Sequence, residues 1–319
     1  MFRLKDSWVW DSWLVDDGGQ YHLFFLYASR ALHDPDARHY RASVGHAVSQ
    51  DLASWERIED ALVRSDAPSF DDLATWTGSI VQHPDGRWFC FYTGATLTEA
   101  GNVQSIGYAV SDDLITWHKA PGPVLRASEW YERLSHGMWH DEAFRDPWVY
   151  PDPDGDGWHM LITARADHGP RLDRGVVGHA TSADLENWTL QPPLTEPGQG
   201  FGQLEVLQTV EVDGQHFLVF NCLASDMPEE RRSVTTGGVW AARAESPTGP
   251  FDIAGARQLT DDQLYVGRVI SERESGRSVM LAFRNFSSSG FVGEITDPMP
   301  LTVVDGDLVI DSDIPGVLR

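Results

Sequence analysis

The sequence predicts an all-β protein, a single five-bladed β-propeller whose four-stranded antiparallel blades surround a central channel. Two observations support this prediction. The 319 residues include 29 Gly, 18 Pro and 13 Trp and lack long Ala/Glu/Lys/Leu stretches, a composition that favours many short strands joined by turns over helices. Two phrases also recur along the chain, and a repeating unit of four strands is typical of a propeller blade.

The first phrase is an Asp/Gly turn between two apolar runs. Asp-Gly between alternating apolar residues indicates a hairpin, because glycine tolerates the positive φ that the turn demands. The phrase occupies residues 13–25, 79–91, 147–162 and 207–220. Each copy is therefore expected to supply the first two strands of a blade.

The second phrase, Ser-x-Asp-Leu-x-x-Trp, follows a third apolar run and ends at Trp55, Trp117 and Trp188. Its Ser or Asp is expected to close a turn through bonds to the backbone, and its Leu and Trp to pack between blades rather than stack on a sugar. A degenerate fourth copy covers residues 238–251, and a fifth unit covers 266–283 and 291–304. Five units use the whole chain, so residues 1–319 are predicted to form one domain.

The charge balance excludes several classes of partner. The chain has 24 Lys+Arg against 48 Asp+Glu, a formal net charge of −24, which argues against binding to nucleic acid or to an anionic membrane. No run of 18 apolar residues predicts a membrane span, and the first ten residues lack a secretory pattern, so a cytoplasmic location is expected. Cys90 and Cys222 make neither a disulfide framework nor a zinc cluster and are expected to be buried thiols.

Three carboxylates stand at the beginnings of predicted inner strands, which line the channel of a propeller. Asp11, Asp146 and Glu205 each directly precede the apolar run of their hairpin. Residues 76–79 (Trp-Thr-Gly-Ser) and 262–265 (Asp-Gln-Leu-Tyr) take this place in the second and fifth units. Carboxylates that converge on one pocket repel one another and raise at least one pKa. One ionised and one protonated carboxyl are what glycoside cleavage requires.

Other polar segments carry weaker signals. Residues 152–157 begin like a calcium loop, but the twelfth position is Thr163 rather than a bidentate Glu, and a hairpin turn explains the segment. No histidines show helical metal spacing, so neither a metal nor another cofactor is expected. His140, before the third inner strand, is a candidate for the pocket rim, and residues 226–232 form a predicted loop that would shape the acceptor side.

Taken in order, these residues resemble glycoside hydrolase families 32 and 68, five-bladed propellers that cleave or transfer β-fructofuranosyl units. The motif Trp10-Asp11-Ser12-Trp13 is most similar to that of the levansucrase-like family 68. The resemblance implies that Asp11 is the nucleophile and Glu205 the acid/base. It also implies that Asp146, in an Arg-Asp-Pro triplet, stabilises the transition state.

The implied reaction is a retaining one, in which sucrose or a fructo-oligosaccharide is hydrolysed, or its fructosyl unit transferred, through a covalent fructosyl–aspartate. Retaining glycosidases hold the two reacting carboxyls about 5–5.5 Å apart. The expected partner is a small carbohydrate, and the oligomeric state is left open. The candidate substrate-binding residues are Trp10, Trp76, Ser79, Arg145, His140 and Tyr265.

Departures from the two families leave alternatives open. The fourth-unit motif is Glu205-Val206-Leu207, not the Glu-Cys-Pro of family 32 or the Glu-Arg-Pro of family 68, whose Arg grips substrate. Family 32 also carries a C-terminal β-sandwich, for which 319 residues leave no space. One alternative is an inverting arabinofuranosidase or xylosidase of the family 43 kind, which shares the fold and uses two Asp and one Glu. The other is a non-catalytic sugar-binding propeller.

Overall fold

Five antiparallel sheets follow one another along the chain in the computed structural model, which describes residues 1–311. The first two sheets contain β1 (Ser7–Asp16), β2 (Tyr21–Ser29), β3 (Ser43–Ser49), β4 (Glu56–Arg57), β5 (Ala74–Gln82), β6 (Trp88–Thr98), β7 (Gly101–Ser111) and β8 (His118–Lys119), with β9 (Leu125–Arg126) beside β7. The next two contain β10 (Phe144–Pro151), β11 (Trp158–Arg165), β12 (Gly175–Ser182), β13 (Trp188–Gln191), β14 (Glu205–Val212), β15 (Gln215–Leu223), β16 (Gly237–Ala244) and β17 (Arg257–Gln258). The last contains β18 (Leu264–Ser271), β19 (Ser278–Ser287), β20 (Gly290–Ile295), β21 (Met299–Val304) and β22 (Asp307–Ile310).

The sheets are the blades of a propeller. Within each sheet the strands pair in chain order, because short turns join consecutive antiparallel strands. The first strands β1, β5, β10, β14 and β18 contact one another in a closed ring, so they surround the channel. The predicted all-β, five-bladed fold is confirmed.

In the part of the chain that the structure describes, helical structure is confined to short connections. These are the 3-10 helices Arg30–Leu32, Asp36–Arg41, Leu134–His136, Arg171–Asp173 and Ala224–Asp226 and the α-helix α1 (Glu229–Arg232). Within residues 1–311, no helix has both the length and the apolar character needed to cross a membrane.

The predicted hairpins join the first two strands of four blades. In the fourth blade, Asp213 and Gly214 both have positive φ, at 50° and 74°, as a two-residue turn that matches the strand twist requires. Residues 152–157 form the corresponding turn of the third blade, closed by the Asp152 N–H donating to the Gly157 carbonyl at 2.8 Å. The segment that begins like a calcium loop is therefore a hairpin turn.

The second repeated phrase is a turn held by its own side chains. In the second blade, Asp113 accepts hydrogen bonds from the backbone N–H groups of Ile115 and Thr116 at 2.8 and 2.7 Å. The Trp117 indole donates to the Leu114 carbonyl at 3.0 Å. The first and third blades repeat both features with their own Asp, Leu and Trp. The turn interpretation is confirmed.

The tryptophans of this phrase pack between blades, as predicted. Trp117 lies edge-on to Phe24 of the first blade, with ring centroids 5.9 Å apart, and Trp188 lies edge-on to Phe91 of the second blade at 5.4 Å. Cys90 and Cys222 are buried free thiols, as expected. The apolar core therefore lies between neighbouring blades.

The N-terminal segment closes the ring. Phe2 and Ile295 of β20 exchange two backbone hydrogen bonds of 2.9 Å, and the Phe2 ring packs on Phe25 of the first blade at 4.8 Å. Strand β20 continues the third strand of the fifth blade, since β19 pairs with β20 at one end and with β21 at the other. The first residues therefore join the last blade to the first.

Candidate active site

Each first strand carries a register irregularity near its beginning. It falls after Trp10, Trp76, Arg145, Glu205 and Tyr265. A β-bulge interrupts the alternation of side chains across a strand, so that in four blades two successive residues turn toward the channel. The cavity is about 470 Å³ and is lined by a first layer (Trp10, Trp76, Arg145, Glu205 and Tyr265) and a second layer (Asp11, Thr77, Asp146 and Val206).

The bulges correct the expectation that the three carboxylates occupy equivalent positions in their blades. Asp146 and Glu205 do not occupy equivalent positions, because Glu205 shares the register position of Arg145, one residue before the bulge. The structural equivalent of Asp146 is Val206, and both have positive φ, 55° and 54°. Both carboxylates still reach one cavity because the bulge presents two consecutive side chains.

The preceding blade holds each of these strained bulges in place. The Asp146 N–H donates to the Thr93 hydroxyl at 2.8 Å, and the Val206 N–H donates to the Thr163 hydroxyl at 3.0 Å. Positive φ is unfavourable for a β-branched residue such as Val206 and persists only where surroundings fix it. The neighbouring blade therefore sets the position of the functional side chains.

Asp11 is bonded to one neighbour and surrounded by charge. The Thr77 hydroxyl donates to its carboxylate. Burial raises the pKa of Asp11, the Thr77 hydrogen bond lowers it, and the negative charge of Glu205 raises it further. The net effect is a raised pKa, which makes the ionised form of Asp11 more basic and more nucleophilic than an exposed aspartate.

Asp146 is more deeply enclosed, with its side chain only 4% exposed. It accepts a hydrogen bond from the Thr163 hydroxyl at 2.9 Å, and the Arg145 Nε lies 3.4 Å from it. Burial raises the pKa of Asp146 to about 7, although the Arg145 guanidinium opposes that rise. Asp146 is thus a carboxylate whose negative charge is poorly compensated until a positive or hydroxyl-bearing group enters.

Glu205 is oriented from both sides. The Arg145 guanidinium donates to one of its oxygens and the Tyr265 hydroxyl donates to the other. Burial and the charge of Glu205 both raise the pKa of Tyr265, so this hydroxyl stays protonated and remains a donor. The two contacts fix the plane of the Glu205 carboxyl.

Arg145 links the site to its rim. The side chain also donates to the amide oxygens of Gln104 and Gln203. Burial lowers the pKa of Arg145, but Glu205, Asp141 and Asp146 together raise it well above its ordinary value. The guanidinium is therefore a permanent cation that holds three carboxylates near one another.

Most of the sequence candidates line this cavity. Trp10, Trp76, His140, Arg145 and Tyr265 all do so, together with Asp11, Asp146 and Glu205. The Trp76 indole donates to the His39 carbonyl at 2.7 Å, so this wall is fixed by a loop of the first blade.

Ser79 is not brought to the cavity, and its assignment as a substrate contact is corrected. It is fully buried, and its hydroxyl accepts the Val149 N–H of the third blade at 3.1 Å. Ser79 lies two positions beyond the bulge residue Thr77. It is therefore further along the strand than the residues that line the cavity, and its hydrogen bond to the third blade places it between blades.

Several residues that were not among the sequence candidates also line the cavity: Asp36, Arg38, His39, Asp141, Gln203, Asp226 and Asn285. Asn285 lies in β19, and the others come from connections between strands. Burial and the nearby charge of Arg38 lower the pKa of His39 to about 4, so its ring is neutral at neutral pH. Asp226 belongs to the loop that was predicted to shape the acceptor side.

The chain is similar in sequence to known proteins. The sequence profile of the Glycosyl hydrolases family 32 N-terminal domain matches residues 8–290. An insoluble β-fructofuranosidase isoenzyme of Arabidopsis thaliana is 32% identical over 206 residues, which cover 61% of this chain and 34% of that protein. Sucrose-6-phosphate hydrolase of Bacillus subtilis is 33% identical over 188 residues, which cover 59% of this chain and 34% of that protein. The chain thus spans about a third of the length of these relatives.

Solved structures share the fold at lower identity. An inulosucrase from Halalkalicoccus jeotgali bound to kestose superposes with a TM-score of 0.79 at 22% identity, covering 96% of this chain and 87% of that one. Levansucrase of Bacillus subtilis superposes with a TM-score of 0.75 at 15% identity, covering 99% and 89%. At these identities the likeness extends to the fold.

Proposed function

Because the chain belongs to glycosyl hydrolase family 32, we propose that it cleaves β-fructofuranosides such as sucrose or fructo-oligosaccharides with retention of configuration. The observation that carries the proposal is the convergence of Asp11, Asp146 and Glu205 on one cavity. The relatives named as a β-fructofuranosidase and a sucrose-6-phosphate hydrolase support the fructosyl unit as the group attacked. The match to family 32 favours it over an arabinofuranosidase or xylosidase of the family 43 kind.

In the first step, an oxygen of Asp11 attacks the anomeric carbon while the bond to the leaving oxygen breaks. Glu205 gives its proton to that oxygen, so the leaving group departs as a neutral alcohol. The product is a fructosyl ester on Asp11. Such a double displacement needs the two carboxyls about 5–5.5 Å apart.

In the second step, Glu205 takes a proton from the incoming hydroxyl, whose oxygen attacks the same carbon and releases Asp11. Water gives hydrolysis and a sugar hydroxyl gives fructosyl transfer. Asp146 hydrogen-bonds hydroxyls of the fructosyl unit, and its negative charge stabilises the positive charge that develops on the ring in both steps. Arg145 and Tyr265 hold Glu205 in one orientation through both proton transfers.

Incubation with sucrose tests the proposal. Free glucose and free fructose in equal amounts indicate hydrolysis, and an excess of glucose indicates transfer. Asp11→Asn should lower kcat by at least about 10³-fold, since it removes the nucleophile and keeps the shape. The matched control is Asp112→Asn, a change of the same kind on the exposed surface. Undiminished activity of the Asp11 variant would contradict the assignment.

Glu205→Gln separates the acid role from the nucleophile. Fructosyl fluoride needs little protonation of its leaving group, so its cleavage should fall much less than that of sucrose. Equal losses on the two substrates would count against Glu205 as the acid. Binding of fructosides without turnover would instead favour the sugar-binding propeller.

A further inference from the structure

We propose that the mouth of this cavity selects leaving groups by charge: it accepts an uncharged, hydroxyl-rich group and rejects a phosphorylated one, with Asp226 as the specificity-determining residue. The inference rests on the proposed function and adds to it the class of leaving group. Two observations support it: carboxylates outnumber guanidinium groups in the lining of the cavity, and both of its arginines already contact other groups.

Exposure orders the cavity from floor to mouth. The exposed fraction of the side chain is 4% for Asp146, 17% for Glu205 and 68% for His140. In the proposed reaction the attacked carbon lies near Asp11 and the leaving oxygen near Glu205. The leaving group therefore extends from Glu205 toward the mouth, where Asp226, His140 and Asp36 line the wall.

Negative charge dominates this lining. Within residues 1–311, it contains no lysine and two arginines, Arg38 and Arg145. Six carboxylates face them: Asp11, Asp36, Asp141, Asp146, Glu205 and Asp226. A phosphate group carries close to two negative charges at neutral pH and would enter a space where carboxylates already outnumber guanidinium groups.

Both arginines are already engaged. Arg145 is bonded to Glu205 and lies 3.4 Å from Asp146. The Arg38 guanidinium lies 3.9 Å above the Phe291 ring, donates to the Pro35 carbonyl at 2.8 Å and lies 3.6 Å from Asp36. Phosphate recognition commonly uses the two-pronged fork of a guanidinium. Neither guanidinium group can turn toward the mouth without losing its contact with a carboxylate.

Asp226 stands where the leaving group would pass. It ends the 3-10 helix Ala224–Asp226, is half-buried, and accepts a hydrogen bond from the Gln203 amide at 3.1 Å. The oxygen of that same amide accepts from Arg145, which connects Asp226 to Glu205 through two side chains. Burial raises the pKa of Asp226 and the charge of Glu205 raises it further, so negative charge is already crowded at this point.

A carboxylate in this position suits a sugar. Its second oxygen already accepts a hydrogen bond from the Ser225 hydroxyl at 3.4 Å, and it can accept one from a sugar hydroxyl in the same way, whereas a phosphate offers it only like charge. The formal net charge of −24 adds long-range repulsion of anions, which salt screens. Rejection of a phosphorylated leaving group should therefore be strongest at low ionic strength.

The test compares sucrose with sucrose 6-phosphate, whose phosphate lies on the glucosyl leaving group, with fructose release as the common readout. At low salt we expect kcat/KM for sucrose to exceed that for the phosphate ester by about 100-fold or more, given two like charges near several carboxylates at close range. Raising the salt concentration to about 0.5 M should narrow the ratio, because the Debye length shortens.

Variants assign the selection to Asp226. Asp226→Asn should reduce the ratio by about tenfold, and Asp226→Arg should reduce it further by offering the phosphate a free guanidinium. The matched control Asp112→Asn, on the exposed surface, should leave it unchanged. If the arginine variant does not fold, the asparagine variant still decides.

Three outcomes would overturn the inference or its basis. Equal kcat/KM for the two substrates at low salt would refute selection by charge while leaving the proposed function intact. A ratio that is as large in Asp226→Asn as in the wild type would refute the assignment to Asp226. Failure to release fructose from sucrose, sucrose 6-phosphate, kestose or inulin would refute the proposed function itself.

Discussion

The ionised side chain of Asp146 destabilises the folded state. Its pKa is raised to about 7 by burial, whereas an aspartate in an unfolded chain titrates near 3.9. Between these two pH values the folded state binds more protons than the unfolded state. The free energy of unfolding therefore falls as pH rises from about 4 to 7.

Asp146→Asn should remove this cost. The amide keeps an oxygen for the Thr163 hydroxyl and carries no charge, so we expect the free energy of unfolding at pH 7.5 to rise on the order of 1–2 kcal/mol. The gain should vanish at pH 4.5, where Asp146 is protonated. Thermal unfolding of the variant, the wild type and the Asp112→Asn control at both pH values measures the difference. Equal changes at the two pH values would contradict the explanation.

The three carboxylates could be predicted from the sequence because each stands beside a recognisable repeat. Arg38 and His39 could not, since they come from a 3-10 helix that no repeat marks. Ser79 was assigned to the pocket wrongly, because it lies two residues beyond Thr77 and bonds to the third blade instead, and a single sequence does not show which residue of a strand is the last to reach the cavity. Asp226 lies in the loop that was predicted to shape the acceptor side. Its neighbours Gln203 and Glu205, however, lie just before and at the beginning of β14, and no pattern in the sequence links them to that loop.

At the scale of single elements, the hairpins and the Ser-x-Asp-Leu-x-x-Trp turns were predictable because their stabilising bonds are local. The bulges were not. Val206 and Val266 have φ of 54° and 52°, a conformation that β-branched residues disfavour, and the bond that fixes Val206 comes from Thr163 of another blade. The sequence therefore predicts the strand, while a tertiary contact determines which of its residues face the channel.

The N-terminal segment is an element whose contribution can be measured. Phe2 is 6% exposed and packs on Phe25 while its backbone pairs with Ile295. Phe2→Ala should lower the free energy of unfolding by about 3 kcal/mol, because it removes a buried aromatic ring at the join between the first and last blades.

Denaturant unfolding measures this loss, and Leu97→Ala is the matched control because Leu97 is 62% exposed. The Leu97 variant should differ from the wild type by less than about 0.5 kcal/mol. A Phe2 variant as stable as the control would mean that the ring closes without this contact.

At the scale of the whole molecule, the repeats predicted five blades, and residues 1–311 form five. The closure of the ring could not be predicted, because a two-residue bridge between Phe2 and Ile295 leaves no periodic pattern in the sequence. The cytoplasmic location stays a prediction.

The net charge of −24 should make stability depend on salt. Like charges repel most in the compact state, and the screening length shortens to about 3 Å at 1 M salt. The midpoint of thermal unfolding should therefore rise by several degrees when NaCl increases from about 0.05 M to 1 M. Glycerol at equal osmolality controls for cosolvent exclusion. A midpoint of thermal unfolding that stays constant or falls would show that repulsion between surface charges does not destabilise the folded state.

Arg268 has a further consequence. Its guanidinium, on the first strand of the fifth blade, donates to the Leu207 carbonyl of the fourth blade at 2.8 Å and to the Gly78 carbonyl of the second at 3.3 Å. Because this fully buried side chain reaches from the fifth blade to two others, it crosses the channel and obstructs passage from one face of the propeller to the other.

In the proposed reaction, products and acceptors would pass through the mouth of the cavity in a fixed order. The first product would have to leave through the mouth before water or a second sugar could reach the fructosyl group, so its departure would set the lifetime of the ester. Under the same proposal, a long fructan could not pass through the molecule, and only its terminal unit would reach Asp11.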